Sequence, residues 1–171
     1  MKKLRKAVAS QFTLLTYYIP EANFSFYEVE QAEKPSGDEG IVVQYSLGLE
    51  PGEVTIEDIN EKEGVILRGT MPATVKVRGR VGRKVVTKID VSIVGIFLGK
   101  DMDRVTFEKF CKLNGLANLL MVVRAYISST TSQMGRPPVV IPLVNLYKTL
   151  TEVRAEHQQK FRRKLRDEEG D

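Results

Sequence analysis

The order of hydrophobic patterns along the chain predicts an α+β fold in which an antiparallel sheet comes first and helices follow. Up to Phe97, apolar and polar residues tend to alternate, which is the two-residue period of half-buried strands. From Val105 onward the apolar residues recur at helical spacing. Strands followed by helices favour separate sheet and helix layers over a parallel sheet built from alternating strand–helix units.

Length and composition indicate one domain, with a basic start and a charged end. The chain has 171 residues, a hydrophobic content of 42% and a net charge of +4. Its single cysteine, Cys111, excludes an internal disulfide, and the helical pattern around it predicts a buried thiol. The start of the chain is basic through Lys2, Lys3, Arg5 and Lys6, but the run that follows is interrupted by polar residues and is a poor match to a signal peptide. We also find no hydrophobic run long enough to cross a bilayer, so a cytoplasmic protein is expected.

Several strands are expected in the first half of the chain. One contains Phe24 and Phe26, and a second covers Ile41–Leu49, where apolar residues again alternate with polar ones. Glu53–Glu63 is acidic and is interpreted as a connector that forms a short helix or none. Val65–Leu67 is expected to be a brief strand that ends before the following proline.

The clearest local pattern is a β-hairpin that turns at Gly82. Its strands carry β-branched residues at alternate positions, namely Val75, Val77, Val81, Ile89, Val91 and Ile93. The positions between them are mostly charged or polar. One face of the hairpin is therefore expected to be buried and the other to face water.

Two helices are expected next, separated by Gly115. The first carries Val105, Phe107, Phe110, Cys111 and Leu113, and Asp103 or Thr106 could cap its start. The second begins in Leu116–Ile127, where ten of twelve residues are apolar. Such a helix is interpreted as buried on two sides, by its own domain and by a partner chain, and the alternative is a central helix in a monomeric core. Later in the chain, Asn145 could cap a last helix.

The residues needed for common catalytic or metal sites are missing. With one histidine and one cysteine the chain has no usual zinc ligand set, no Ser–His–Asp arrangement and no Walker-type phosphate loop. The sequence thus predicts no enzyme, no cofactor and no metal. The stretch from Lys76 to Lys88 has six bases and no acid. It could contact nucleic acid, but valines interleave with the bases and a charged outer sheet face is the preferred interpretation.

Several segments, in this order, resemble the SecB family of protein-export chaperones. The similarity covers about a third of the chain. The segments are Ile89-Asp90-Val91, Gly95-Ile96-Phe97, Asn118–Ser129, Gly135-Arg136-Pro137-Pro138 and Ile141-Pro142-Leu143-Val144-Asn145, with a weaker match at Ser25-Phe26.

The resemblance implies a four-stranded antiparallel sheet followed by two main helices, with one face of the sheet covered, in a dimer of dimers. The SecB-like domain would span residues 12–153, between a basic segment at 1–11 and a charged helix or tail at 154–171. Residues 50–74 are longer than the family norm and receive no assignment. The helix residues expected at the oligomer interface are Leu119, Leu120, Val123, Tyr126 and Ile127.

The resemblance further implies an ATP-independent chaperone, or holdase, that binds unfolded or export-bound polypeptides in apolar surface grooves and passes them to the SecA ATPase. The expected groove residues are Tyr17, Phe24, Phe26, Val140, Leu143, Leu146 and Tyr147. Asp90 matches one of the acids through which the family meets SecA, but the surrounding face is basic here. Alternative functions are a SecB-like chaperone of a toxin–antitoxin system or of other cytosolic clients, and a nucleic-acid-binding module that uses the hairpin.

Overall fold

The fold consists of five antiparallel strands and one long helix. The structure is a computed structural model, and it describes residues 11–28, 42–61, 64–142, 144–146 and 148. The strands are β1 (Phe12–Phe26), β2 (Gln44–Pro51), β3 (Thr55–Glu61), β4 (Gly64–Val81) and β5 (Lys84–Lys100). The helix consists of α1 (Arg104–Phe110), a π-helical stretch (Cys111–Gly115) and α2 (Leu116–Gln133). The predicted α+β class is thus confirmed. Residues 1–10 and 154–171, which hold the expected basic and charged ends, lie outside the described residues.

The chain divides into two units, Met1–Ile141 and Pro142–Asp171, and the sheet and the long helix belong to the first. In the second unit the backbone N–H of Lys148 donates to the Asn145 side chain at 3.1 Å. Asn145 therefore caps the start of a helical turn, as the sequence predicts.

The sheet has five strands rather than the four expected. The strand order is β1-β5-β4-β2, and β3 also pairs with β4. β2 pairs with the second part of β4, up to Arg80, and β3 pairs with its first part, up to Thr70. β2 and β3 therefore lie end to end along one edge of β4. This arrangement accounts for residues 50–74: the acidic connector is strand β3, and the expected brief strand is the start of the 18-residue β4.

Pro72 lies inside β4, although the sequence predicted that the strand would end before it. The backbone N–H of Gly52 donates to the Pro72 carbonyl at 2.8 Å. In an antiparallel strand the nitrogen and carbonyl of one residue point to the same side. The missing N–H of Pro72 thus faces the junction where β2 ends and β3 begins, so no ladder hydrogen bond is lost there.

The hairpin prediction is confirmed, with Val81 and Lys84 paired around the turn. Gly82 has φ +56°, a left-handed conformation that glycine adopts without strain. Of the six alternating residues, Val81 beside the turn is only half-buried. The other five are buried and form the layer of the core beneath the helix: Val75, Val77, Ile89, Val91 and Ile93.

Gly115 does not separate two helices, because the helix runs without a break from Arg104 to Gln133. A Cβ at Gly115 would lie 2.9 Å from Cζ of Phe97, so glycine lets the helix approach the sheet closely. The helix starts where Asp103 caps it, as expected, since its carboxylate accepts the Thr106 N–H at 2.9 Å. Among the described residues there is thus one main helix rather than two.

The continuous helix is also longer than the apolar run counted in the sequence. Arg104–Gln133 spans 30 residues and reaches a mean hydropathy of 1.2, so by length and composition alone it could cross a bilayer. The core helix of a globular protein meets the same criteria, and one face of this helix packs on the sheet. The expectation that no stretch is long enough to cross a bilayer is therefore wrong. The absence of membrane insertion stays a prediction.

Candidate polypeptide-binding groove

Strand β1 and the long helix face each other across a surface groove, and contacts between them follow the same order along both elements. At one end the Phe12 ring lies 5.8 Å, centroid to centroid, from the Phe107 ring in α1. Further along, the Phe24 ring lies 6.1 Å from the Tyr126 ring in α2. The two elements thus run alongside each other in the same direction.

Beside the second of these contacts the elements leave a groove of about 660 Å³. Its lining is Tyr17, Ile19, Met121, Val122, Ala125, Tyr126, Ser129, Thr130 and Gln133. Two large apolar side chains on opposite walls remain accessible, since Met121 is 60% exposed and Tyr17 is 47% exposed. An apolar concavity that its own chain leaves open is a common feature of binding surfaces.

The helix wall follows from the spacing of apolar residues in α2. The buried residues recur every three or four positions and form one stripe: Leu116, Leu119, Leu120, Val123, Ile127 and Thr131. Met121, Val122 and Ala125 fall between them and project from the other side. α2 therefore has more apolar residues than its own sheet covers, and the uncovered ones form the helix wall of the groove.

The strand wall depends on an irregularity in β1. Tyr17 and Phe24 are seven residues apart, so strict alternation would place them on opposite faces of the sheet. Tyr17 pairs with Gly95 and Phe24 with Ile89, which are six apart, because the register shifts by one residue between Tyr18 and Glu21. This bulge brings both aromatic rings to the helix side.

Beyond the groove lining, past the end of α2, a cation covers an aromatic ring. The guanidinium carbon of Arg136 lies 4.3 Å from the centroid of the Phe26 ring. Gly135, with φ +70°, reverses the chain after α2, and the Arg136 N–H donates to the Thr131 carbonyl at 3.2 Å. This C-terminal cap holds Arg136 next to the strand.

A buried hydroxyl fixes the segment that follows. Thr131 Oγ1 donates to the Ile127 carbonyl at 2.8 Å and accepts the Val139 N–H at 3.0 Å. Val139 and Ile141 are buried, and Val140 between them is 66% exposed.

Of the groove residues named from the sequence, Tyr17 lines the groove, and Phe24 and Phe26 lie further along β1 on the same side of the sheet without lining it. Val140 is on the surface in the segment that follows the helix. The side chains of Leu143 and Tyr147 lie outside the described residues. Leu146, half-buried, belongs to the unit Pro142–Asp171.

The helix wall was not among the predicted groove residues. Met121, Val122 and Ala125 were counted as part of a generally apolar helix. They could have been identified by first assigning the buried stripe, whose residues recur every three or four positions, and then taking the apolar residues that remain.

The predicted oligomer-interface residues need a correction. Leu119, Leu120, Val123 and Ile127 are buried within one protomer, where they pack in its own core. Tyr126 is half-buried and lines the groove. An apolar count cannot tell the core face of a helix from its outer face. The four buried side chains are not accessible to a partner chain, and which residues form an oligomer interface stays a prediction.

Charged side chains on the outer face of the sheet pair with one another. An Arg78 guanidinium nitrogen lies 2.7 Å from a carboxylate oxygen of Asp90, the residue suggested for SecA contact. Lys76 lies 2.7 Å from Glu50, and the Lys88 ammonium lies 5.5 Å from the centroid of the Tyr27 ring. Lys76, Arg78 and Lys88, all from the hairpin stretch, therefore have partners within the sheet.

Among the described residues there is no group of three or more histidine, cysteine or acidic side chains placed to hold a metal ion. Burial raises the pKa of the Cys111 thiol to about 12, with a smaller contribution from the negative charge of Glu108. A thiol with such a pKa is protonated at neutral pH and is a poor nucleophile.

Comparison with solved structures relates this architecture to a known fold. The Mycobacterium tuberculosis Rv1957 SecB-like chaperone, in complex with a ChAD peptide from the Rv1956 HigA1 antitoxin, superposes with a TM-score of 0.52. The match covers 78% of this chain and 91% of that one, at 12% sequence identity. The chain has the SecB-like fold. The resemblance found in the sequence is confirmed at the level of the fold, with a fifth strand and one described main helix.

A protein of unknown function from Streptococcus agalactiae is also similar, with a TM-score of 0.44 and 13% identity over 80% of this chain and 100% of the other. No family model matches the sequence, and no curated protein matches it. Within the SecB-like fold, the groove between β1 and α2 is the candidate functional site.

Proposed function

We propose that this SecB-like protein is an ATP-independent holdase that binds non-native polypeptides along the groove between β1 and α2. The observation that carries the proposal is the groove itself, with Tyr17 on one wall and Met121 on the other, both accessible. The solved relative with the same fold is described as a chaperone and was captured with a peptide from an antitoxin. ATP independence follows from the SecB resemblance.

The lining of the groove suits ligands that have no fixed sequence. An unfolded chain exposes apolar side chains, and burying each one fully is worth about 1.5–3 kcal/mol. Methionine adapts its shape to different partners, and aromatic rings provide a large contact area. A few such contacts hold a client reversibly, which is the affinity range that a holdase requires.

Self-association in the cytoplasm belongs to the same proposal. The resemblance implies assembly into an oligomer. For the groove to bind clients, a second copy has to leave Tyr17 and Met121 accessible. A homo-oligomer, expected to be a dimer of dimers, is therefore proposed together with client binding.

The test is suppression of aggregation by the purified protein, measured by light scattering during refolding of a slowly folding enzyme. The wild type is expected to suppress aggregation at near-stoichiometric ratios. Tyr17→Ser and Met121→Glu are expected to weaken suppression, because each removes apolar contact from one wall of the groove. Val105→Glu is the matched control, since Val105 is 61% exposed on α1 and does not line the groove.

Measuring the molecular mass of the same variants separates client binding from assembly. Tyr17→Ser and Met121→Glu are both expected to keep the wild-type mass, well above the 19.3 kDa of the monomer, and to lose suppression only, because both residues line the client groove. Wild-type protein that leaves aggregation unchanged would refute the holdase proposal.

Two destinations of the client follow from the neighbour and from the resemblance. An antitoxin client is favoured by the peptide bound to the solved relative, and a toxin–antitoxin gene pair beside this gene would support it. Delivery to SecA is the alternative, with Asp90 as the contact suggested by the resemblance. Because Asp90 is paired with Arg78, SecA would have to compete with that ion pair. Binding of purified SecA to wild type but not to Asp90→Asn would support export.

A further inference from the structure

We propose that Arg136, held over Phe26, forms a subsite that selects client segments with an acidic side chain next to apolar ones. This inference rests on the proposed function, because it assigns a specificity to the same groove. The ligand is the carboxylate of a polypeptide segment, and Arg136 is the residue that binds it.

The geometry of the stacked pair leaves the guanidinium available to a ligand. The guanidinium carbon lies 4.3 Å from the centroid of the Phe26 ring, so this ring contacts the cation through its face. The N–H groups of a guanidinium lie in its plane and point outwards. Arg136 is exposed, and no described carboxylate forms an ion pair with it. A planar fork fixed in this way suits two parallel hydrogen bonds to a carboxylate.

The position of Arg136 connects this cation to the groove. The lining extends along α2 as far as Gln133, three residues before Arg136. On the opposite wall, Phe24 precedes Phe26 by two residues and faces the same side of the sheet. A segment lying in the groove therefore passes Tyr126 and Phe24 before its end reaches the Arg136–Phe26 pair.

The rigidity of the site adds to the selection. The turn after α2 is fixed by hydrogen bonds from the Gly135 and Arg136 N–H groups to carbonyls of the last helical turn, at 3.0 and 3.2 Å. The ring restricts the side chain further. Because the guanidinium is ordered before a client arrives, less rotamer entropy is lost on binding than for a free surface arginine.

The experiment compares short fluorescent peptides of alternating leucine and serine that differ at one terminal position, which is glutamate, glutamine or lysine. Fluorescence anisotropy with wild-type protein is expected to give the order Glu, Gln, Lys, with the Glu peptide about two- to fivefold tighter than the Gln peptide, as for a partly exposed ion pair. At 1 M salt, where the screening length is about 3 Å, the ratio is expected to approach one.

Variants assign the preference to the stacked pair. Arg136→Gln is expected to bring the Glu-to-Gln ratio to about one, and Arg136→Lys to an intermediate value, because lysine keeps the charge and loses the planar fork. Phe26→Leu is expected to lower the ratio, since it removes the ring that positions the cation. Arg124→Gln is the matched control, because Arg124 is on α2 but does not line the groove.

The possible failures are distinguishable. Equal binding of the Glu and Gln peptides to the wild type, or a preference that survives in Arg136→Gln, would overturn this inference and leave the groove as a client site. A preference lost equally in Arg124→Gln would mean that overall charge, not this subsite, attracts acidic segments. If none of the peptides binds and the wild type also fails to suppress aggregation, the proposed function itself is wrong.

Discussion

Replacing Gly115 with alanine tests how closely the long helix must approach the sheet. In an unconstrained helix this change stabilises by about 1 kcal/mol, because alanine loses less backbone entropy than glycine. Here the new Cβ would lie 2.9 Å from Cζ of Phe97 and 3.0 Å from its Cε1. The ring cannot retreat easily, since it is fully buried and stacks on Phe12 at 5.3 Å between centroids.

The two effects oppose each other, and the steric one should dominate. Overpacking a tightly packed core costs about 1–3 kcal/mol. Subtracting the helix gain leaves an expected net loss of about 1 kcal/mol for Gly115→Ala, measured as the free energy of urea unfolding at one fixed protein concentration. In a Phe97→Leu background the smaller side chain leaves room for the methyl group, so the same change should become neutral or stabilising. This double-mutant cycle isolates the contact between the two positions.

A stabilisation of Gly115→Ala by the full helix gain in the wild-type background would refute this reasoning. It would mean that the helix can move away from Phe97 at no cost. The position of α2 over the sheet, and with it the helix wall of the groove, would then not be fixed by this close approach.

Three further predictions concern the helix and its ends. Because burial raises its pKa, the Cys111 thiol is expected to react slowly with a thiol reagent at pH 8 in the native protein and rapidly in urea. Hydrogen bonds from Thr106 hold the pKa of Asp103 below its usual value. The ionised Asp103 carboxylate therefore stabilises the fold at neutral pH, and this stabilisation is lost as the pH falls through the lowered pKa. Asp103→Ala should lower the melting temperature at pH 7, and the difference from wild type should shrink on acidification. Thr131→Val should lower the free energy of unfolding by about 1–3 kcal/mol, because it leaves the buried Val139 N–H without its acceptor. Thr131→Ser, which keeps the hydroxyl, should retain most of the stability. Loss of hydrogen-exchange protection at Val139 alone in Thr131→Val would identify this hydrogen bond as the cause.

Local periodicity was enough to predict the hairpin, the capped start of the helix and the α+β class. Each of these depends on residues close together in the sequence, such as Gly82 at the turn and Asp103 three residues before Thr106. The SecB-like fold was inferred from short segments that are spread along the chain in family order. These features needed no knowledge of distant contacts.

The errors came from contacts between residues far apart in sequence. Pro72 is compatible with β4 only because the chain passes from β2 to β3 beside it. Gly115 lies inside the helix as a point of close contact, because Phe97, from another element, occupies the space that a side chain would take. Neither environment can be read from the residues next to the glycine or the proline.

The groove was predicted in part for the same reason. Aromatic residues of β1 suggested a binding surface, but their common side depends on the register shift between Tyr18 and Glu21, which only pairing with β5 reveals. The helix wall required a decision about which face of α2 meets the sheet. Since almost every residue in its first three turns is apolar, composition leaves that decision open.

The Arg136–Phe26 pair also has a consequence for how a client lies in the groove. An apolar lining by itself accepts a segment in many registers, because each leucine or valine contact is similar to the next. One fixed cation at the Phe26 end breaks this equivalence, since only registers that bring a carboxylate to Arg136 gain the ion pair. Moving the glutamate along the test peptide should therefore change affinity in steps, highest where the acid reaches Arg136 and lower at each other position. A flat dependence on glutamate position would mean that clients slide freely, and that Arg136 contributes attraction without fixing the register.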